Sequence, residues 1–499
     1  MLYESTRGQC SAITSAEAIK TGLALDGGLY VPSNPVKLTS DQWRDLLGAT
    51  YQERALSLLS LYLTDFTPEE LARCVNGAYN RQKFDALAIA PVVKLSETTY
   101  ILELWHGPTC AFKDMALQIL PYLLTTSVRK TGEDAEIVIL VATSGDTGKA
   151  ALEGFRDVPQ TKIIVFYPDE GVSEVQKRQM VTQEGNNVSV VAVKGNFDDA
   201  QSGVKNLFGD QAFNDLLAGH GLKLSSANSI NWGRLVPQIV YYVSAYLDLV
   251  KQGELNEGDP INVVVPTGNF GNILAAFYAR RMGLPVNKLI CAANANNVLT
   301  DFIRTGVYDR NRPLAKTISP SMDILISSNL ERLLYELTDH NAAQVRQWMI
   351  ELKETGRYAV DAATRAQVQD VFWSDFATDA ETLATIKEIY ALYGYVVDTH
   401  TAVGQNVYIK YRQATEDNTP TIIASTASPF KFAVSVVKAI LGEGAARSRD
   451  EFELLELLAE SCRLTIPDGL RGLTTRPIWH TKQVEKDGLK RAVEEFLGM

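Results

Sequence analysis

Cysteine is scarce in this chain, and so is any pattern that would give it a metal or a disulfide. Cys10, Cys74, Cys110, Cys291 and Cys462 are scattered and odd in number, and no two have CxxC spacing. That argues against a zinc site and a disulfide framework, and for a reducing compartment. The five histidines form no HExxH pair and no triad-like grouping. No uninterrupted apolar run approaches a membrane span, and the opening Met1-Leu2-Tyr3-Glu4-Ser5-Thr6-Arg7 lacks the apolar core of a secretion signal. A cytoplasmic protein with no membrane partner is expected. Positive charge is also in deficit. A formal net charge of −11 argues against nucleic acid as a partner. It leaves room for a local anion site. There is no internal repeat and no low-complexity tail.

What is present is apolar material enough for large cores: 46% of 499 residues, consistent with two or three packed units of a globular enzyme. Residues 1–95 read as a mostly helical domain, with helical apolar spacing over 46–63 and 67–81. From Tyr100 the pattern changes to short β-branched runs alternating with amphipathic segments. Strands are expected at 137–141, 162–167, 188–193, 262–265 and 421–424. Helices are expected at 115–124, 148–156, 173–184, 271–281 and 430–440. This alternation predicts an α/β protein with parallel sheets covered on both faces. The polar stretch 251–260 reads as a linker between two such blocks.

In sheets of this kind ligands bind beyond the carboxyl ends of the strands. Three polar loops, 143–148, 267–272 and 425–430, occupy that place. Thr267-Gly268-Asn269-Phe270-Gly271-Asn272 follows a strand and opens a helix. Its glycines and amides suit a phosphate, and an ordinary strand-to-helix turn fits equally well. The spacing is not GxGxxG, which disfavours a dinucleotide. Thr143-Ser144-Gly145-Asp146-Thr147-Gly148-Lys149 only superficially resembles a nucleotide loop. Thr143 stands where the first glycine belongs, and Ala150 where Ser or Thr belongs. Its hydroxyls and amides remain donors for a carboxylate, or Ser144 or Asp146 caps the helix. Ser425-Thr426-Ala427-Ser428-Pro429 offers a hydroxyl to a heteroaromatic nitrogen, or is a simple turn. Arg234, after Asn231 and Trp232, suits a substrate anion held bidentately, or a surface ion pair. His106 and His400 adjoin these motifs and read either as supports or as core histidines.

The residue that organises these pieces is Lys113, in His106-Gly107-Pro108-Thr109-Cys110-Ala111-Phe112-Lys113-Asp114. It stands where a Gly-Pro turn hands over to a helix. A lysine there opposes the helix dipole, and apolar neighbours would favour its neutral amine. A neutral amine is the form that makes a Schiff base with a carbonyl cofactor.

Together these stretches resemble the threonine synthase family of pyridoxal-phosphate enzymes of fold type II, which is tryptophan synthase β-like. The resemblance runs from end to end. It rests on Tyr3-Glu4-Ser5-Thr6-Arg7-Gly8, Asp26-Gly27-Gly28-Leu29-Tyr30, the Lys113 motif, 143–148 and Asn228-Ser229-Ile230-Asn231-Trp232. It continues through 266–272, Ser319-Pro320-Ser321-Met322-Asp323-Ile324, Asp398-Thr399-His400-Thr401-Ala402 and 424–432.

The resemblance implies two lobes, each with a largely parallel sheet flanked by helices, plus the N-terminal domain at 1–95. A large cofactor-binding lobe is expected at 96–130 and 251–499, and a small mobile lobe at 131–250. It implies pyridoxal 5'-phosphate on Lys113, with the cofactor phosphate on Gly268, Asn269, Phe270, Gly271 and Asn272. Thr426 would face the pyridine nitrogen. Ser144, Gly145, Asp146 and Thr147 would line cofactor and substrate carboxylate, with Asn231 and Arg234 as further substrate contacts. The implied reaction turns O-phospho-L-homoserine and water into L-threonine and phosphate by β,γ-elimination and replacement, in a monomer or homodimer. A related pyridoxal-phosphate lyase and a non-catalytic metabolite-binding protein are the alternatives. The chain departs from the pattern at Asp146, where many fold-type II enzymes have an asparagine that donates to the cofactor ring oxygen. An ionised carboxylate cannot donate, so either Asp146 acts through water or Asn231 replaces it. A second departure is Ser428-Pro429-Phe430-Lys431-Phe432, where some members read His-Pro-Ala-Lys-Phe.

Overall fold

Val263, Val264 and Val265 show how the sheets are built. Successive strand residues point to opposite faces. Val263 and Val265 enter one hydrophobic core and Val264 another, all fully buried. Ile137, Ile139 and Val141 alternate with Val138 and Leu140 in the same way in a second sheet. Strands buried on both faces are the mark of a parallel sheet between helical layers.

The computed structural model describes residues 1–499 apart from Ser144, Glu170, Gly171 and the side chain of Asp198. The larger sheet runs Phe372–Phe376, Val286–Ala293, Ile261–Pro266, Thr421–Ser425, Thr99–Glu103, Val92–Lys94, parallel except for the last strand. The smaller runs Gln483–Val484, Val188–Val193, Thr161–Pro168, Glu136–Ala142, Leu222–Ser225, all parallel. The chain is thus an α/β protein of two lobes with an N-terminal, mostly helical domain. No helix among the described residues is long and apolar enough to cross a membrane.

Three differences from the sequence reading have physical causes. The helical spacing over 46–63 is interrupted. Ser40–Gly48 ends and Tyr51–Tyr62 begins, because Thr50 and Glu53 form a reciprocal capping box. Apolar periodicity carries across such a break unchanged. The expected helix at 430–440 starts as a 3₁₀ turn, Pro429–Phe432, before Ala433–Leu441. Finally, the chain does not stay in the large lobe from 251 to its end. Gln483–Val484 pairs with Val188–Val193, and the helix Leu489–Leu497 packs Leu489, Ala492 and Val493 into the small-lobe core. Conversely, Pro237–Lys251 packs with the N-terminal domain and large lobe, sending Arg54 to Asp248 at 2.6 Å. A two-residue strand has no periodicity to read.

Candidate active site

Lys113 is placed by pairing with another loop. Phe112 N–H donates to the Thr426 carbonyl at 2.8 Å, and Ser428 N–H to the Cys110 carbonyl at 3.0 Å. Ala111 and Ala427 form the antiparallel bridge between them. The turn before Lys113 is locked by buried Asp114, which accepts from Thr109 N–H and Thr109 Oγ1, each at 2.8 Å. A Cβ on Gly107 would meet the Asp114 side chain at 2.5 Å, so this turn requires glycine. Burial raises the Asp114 carboxyl to about 6, although the Thr109 bonds oppose the rise.

The lysine leads directly into the short helix Asp114–Leu117. Burial pushes its amine below the ordinary value of 10.5. The Asp146 carboxylate opposes that shift, while the Lys431 and Arg234 charges add to it. Its Nζ lies 3.3 Å from Ser321 Oγ and 3.5 Å from Asp146 Oδ2.

Asp146 opens the helix Asp146–Phe155 without capping it, and Ser144, the other expected cap, lies outside the described residues. Thr143 Oγ1 does the work instead, accepting from Gly145 N–H and Gly148 N–H, both at 3.0 Å. Asp146 faces a buried cation, Lys431, whose Nζ is 2.7 Å from Oδ1. Gln176 Nε2 donates to the same oxygen at 2.9 Å. Burial alone would raise this carboxyl. The Lys431 and Lys113 charges overcome it and hold the group far below the usual carboxylate range. Asp146 is therefore an ionised acceptor and not a donor. Lys431 also donates to the Thr109 carbonyl at 2.9 Å, so it ties the Lys113 turn to Asp146. Gly145 sits at φ 148 beside Gln176, where a Cβ would be 2.6 Å from the amide; Thr147 is partly exposed.

The third loop opens the helix Gly271–Arg281 through Phe270, which holds φ 63 in the left-handed region. Among the described residues, none of the amides of Gly268, Asn269, Phe270, Gly271, Asn272 and Ile273 finds a protein acceptor. The first to do so is Leu274, bonded to the Phe270 carbonyl at 3.0 Å. The Asn272 side-chain Oδ1 accepts from Tyr241 at 2.9 Å and from Tyr242. Its Nδ2 is buried with no partner. A run of free amides at a helix start, beside an unpartnered buried amide, is an anion cradle. Ser321 closes it on one side: its carbonyl oxygen is 2.8 Å from where a Gly268 Cβ would stand. The loops at 143–148, 267–272 and 425–430 thus meet around Lys113.

Arg234 is no surface residue. It is 4% exposed, donates Nη1 to the Ala227 carbonyl at 2.8 Å, and leaves Nε buried without a partner. No carboxylate pairs with it among the described residues, and burial lowers its guanidinium to about 10. Asn231 serves the fold instead. Its Oδ1 caps Gly233 N–H at 2.8 Å and its Nδ2 donates to the Ile19 carbonyl at 2.9 Å. One Nδ2 hydrogen remains for a further acceptor. The Thr426 hydroxyl has no partner among the described residues, although the residue is 4% exposed. Lys431, Ser321, Gln176 and Asp398 were not assigned roles from the sequence. Lys431 and Ser321 lie inside quoted motifs, but only the fold brings them to Asp146.

Comparisons with known proteins agree with this layout. Residues 2–79 match the family model described as threonine synthase N terminus, 85–371 that of pyridoxal-phosphate dependent enzymes, and 401–493 that of threonine synthase, C-terminal. The threonine synthase of Pseudomonas aeruginosa is 40% identical over 460 residues, covering 91% of this chain and 94% of that one. Threonine synthase-like 1 of Homo sapiens is 43% identical over 447 residues, or 88% of this chain; the match spans only 59% of that longer relative. The crystal structure of pyridoxal-phosphate-bound threonine synthase from Brucella melitensis superposes with a TM-score of 0.88 at 36% identity, covering 99% of both chains. The residues here fit the group those families require: a buried amine of lowered basicity for a carbonyl carbon, and free amides for a phosphate. With its fold, its anion cradle and its buried lysine in agreement with these matches, the chain belongs to the threonine synthase family of pyridoxal-phosphate-dependent enzymes.

Proposed function

We propose that this protein converts O-phospho-L-homoserine and water into L-threonine and phosphate. One observation carries the reading: Lys113, its basicity lowered, lies 3.3 Å from the Ser321 hydroxyl, whose carbonyl borders the free-amide loop, and it feels a buried Arg234 that has no carboxylate partner among the described residues. Pyridoxal 5'-phosphate, when bound, supplies an electron sink for the substrate α-carbon. The protein supplies the rest. Gly268, Asn269, Phe270, Gly271 and Asn272 hold the cofactor phosphate with backbone amides and the Asn272 side chain. Thr426 offers a neutral hydroxyl to the ring nitrogen. Lys113 Nζ, once free, takes the α-proton and returns it, and its proximity lets one amine serve several proton transfers. Gly145 and Thr147 at the start of their helix, and Ser144 by the resemblance, receive the substrate carboxylate. Arg234 directs its unpartnered guanidinium edge to a substrate anion.

The direct test is an absorbance spectrum with and without phosphohomoserine, coupled to product identification. Threonine and phosphate support the reading. Release of 2-oxobutyrate instead would make the protein a related lyase, and a colourless protein without a lysine adduct would make it a binding protein. Two variants probe the parts. Gly268→Ala places a methyl against the backbone of Ser321, which cannot yield. Cofactor affinity should fall by about tenfold or more, read by titrating the apoprotein. Arg234→Gln should raise KM for phosphohomoserine by about 10- to 100-fold, the worth of a charge-assisted pair, with a smaller change in kcat. Steady-state kinetics separates the two parameters.

A further inference from the structure

The Ser321 carbonyl walls the anion cradle, but the side chain faces the other way. The hydroxyl lies between two groups of the site, 3.3 Å from Lys113 Nζ and 3.3 Å from Asp146 Oδ2. Its backbone is fixed by a histidine. Ser321 N–H donates to His400 Nε2 at 3.2 Å. His400 is 2% exposed, and its Nδ1 lies 2.9 Å from Asp398 Oδ1. Asp398 is fully buried and also receives the His400 and Thr401 amides, at 2.8 and 3.3 Å, and the Thr401 hydroxyl. An anchored carboxylate of this kind keeps the imidazole proton on Nδ1 and leaves the Nε2 lone pair for Ser321. Phe432 packs edge-on against the ring at 4.7 Å.

We propose that Ser321 is a further catalytic residue, whose hydroxyl aims the Lys113 amine, and that His400 and Asp398 are its positioning residues. The inference rests on Lys113 being the base of the proposed reaction. A neutral amine has two N–H bonds and one lone pair. Asp146, held ionised by Lys431, accepts the Ser321 O–H, so Ser321 presents a lone pair to Lys113. Asp146 Oδ2 and Ser321 Oγ then take one N–H each. The amine lone pair is left as the only free valence, directed away from both acceptors. An amine lacking one of them would rotate about its Cε–Nζ bond and spend much of its time misaimed.

The test uses Ser321→Ala, Ser321→Thr and His400→Phe. In the holoenzyme Ser321→Ala should lose about a hundredfold in kcat, as expected for a misplaced reacting group, with KM within about twofold. The isotope effect with α-deuterated phosphohomoserine should rise, because proton removal has been slowed. Ser321→Thr should restore most of the rate, and His400→Phe should reproduce the alanine phenotype more weakly. The cofactor-free protein gives a second readout. Acetic anhydride labelling of Lys113 against pH, with Asp146, Lys431 and Arg234 intact, should show its midpoint moved to lower pH in Ser321→Ala, since the ammonium has lost an acceptor. An unchanged kcat with an unchanged labelling midpoint would overturn the proposal, as would a loss confined to KM. Failure of the underlying reading looks different, because borohydride would then trap the cofactor on a residue other than Lys113 in every variant.

Discussion

Lys113→Ala is expected to give a folded, colourless protein with no measurable threonine formation. Lys113 Nζ lies 3.3 Å from the Ser321 hydroxyl, and the preceding Phe112 amide pairs with the Thr426 loop. Removal of the lysine side chain takes away the covalent anchor for the cofactor and the base for the α-proton together. An intramolecular base held in place is worth several orders of magnitude, so kcat should fall by about 10⁴-fold or more. The Asp146 carboxylate keeps Lys431 at 2.7 Å, so the fold should survive. Absorbance, borohydride reduction with peptide mapping and a melting curve check the three parts. Added small primary amines should recover part of the rate without recovering the protein-bound adduct. Retained activity would remove Lys113 from the mechanism, and the functional reading with it.

Lys431→Met is expected to be the most destabilising single change in the site. The lysine side chain is fully buried and its partner nearly so. Removing one member of a buried pair leaves an uncompensated charge, at a cost of about 3–5 kcal/mol. Asp146→Asn in the same protein should recover most of the loss, because the stranded charge goes with it. Denaturant midpoints for the two singles and the double form a cycle that separates pairing from packing. The acid limb gives a second signature. Asp146 is held well below its ordinary value of 3.8 in the folded protein. Its contribution is therefore full above the unfolded value and is lost as pH falls below it. In Lys431→Met burial should prevail and raise the carboxyl, so that mild acid costs less or even stabilises. An acid dependence identical to wild type would show that the pair does not govern Asp146.

Much of the site was legible in the sequence because loops after strands announce themselves. Glycines and hydroxyls that end a β-branched run and open an amphipathic one can be read without knowing which loops are neighbours. The partners that set the chemistry were not legible. Asp146 and Lys431 are separated by more than half the chain, and a lysine after Pro-Phe gives no sign of burial. The capping role of Asn231 was not legible because a cap and a ligand contact use the same residue types. For Arg234 a substrate contact and a surface ion pair stayed open because charge alone says nothing about exposure. The broken helix at Thr50 and the two-residue strand Gln483–Val484 escaped because apolar periodicity detects neither a cap nor so short a pairing.

That last strand has a consequence for biosynthesis. Among the described residues Val188–Val193 finds its outer neighbour in Gln483–Val484, and the helix after it packs on the sheet. A nascent chain therefore carries an open sheet edge from the time the small lobe emerges until residues 483–497 have followed it. Such an edge is a template for pairing with other chains. Truncation before Gln483 would leave Lys113 and its loops intact in sequence, yet yield a polypeptide prone to self-association.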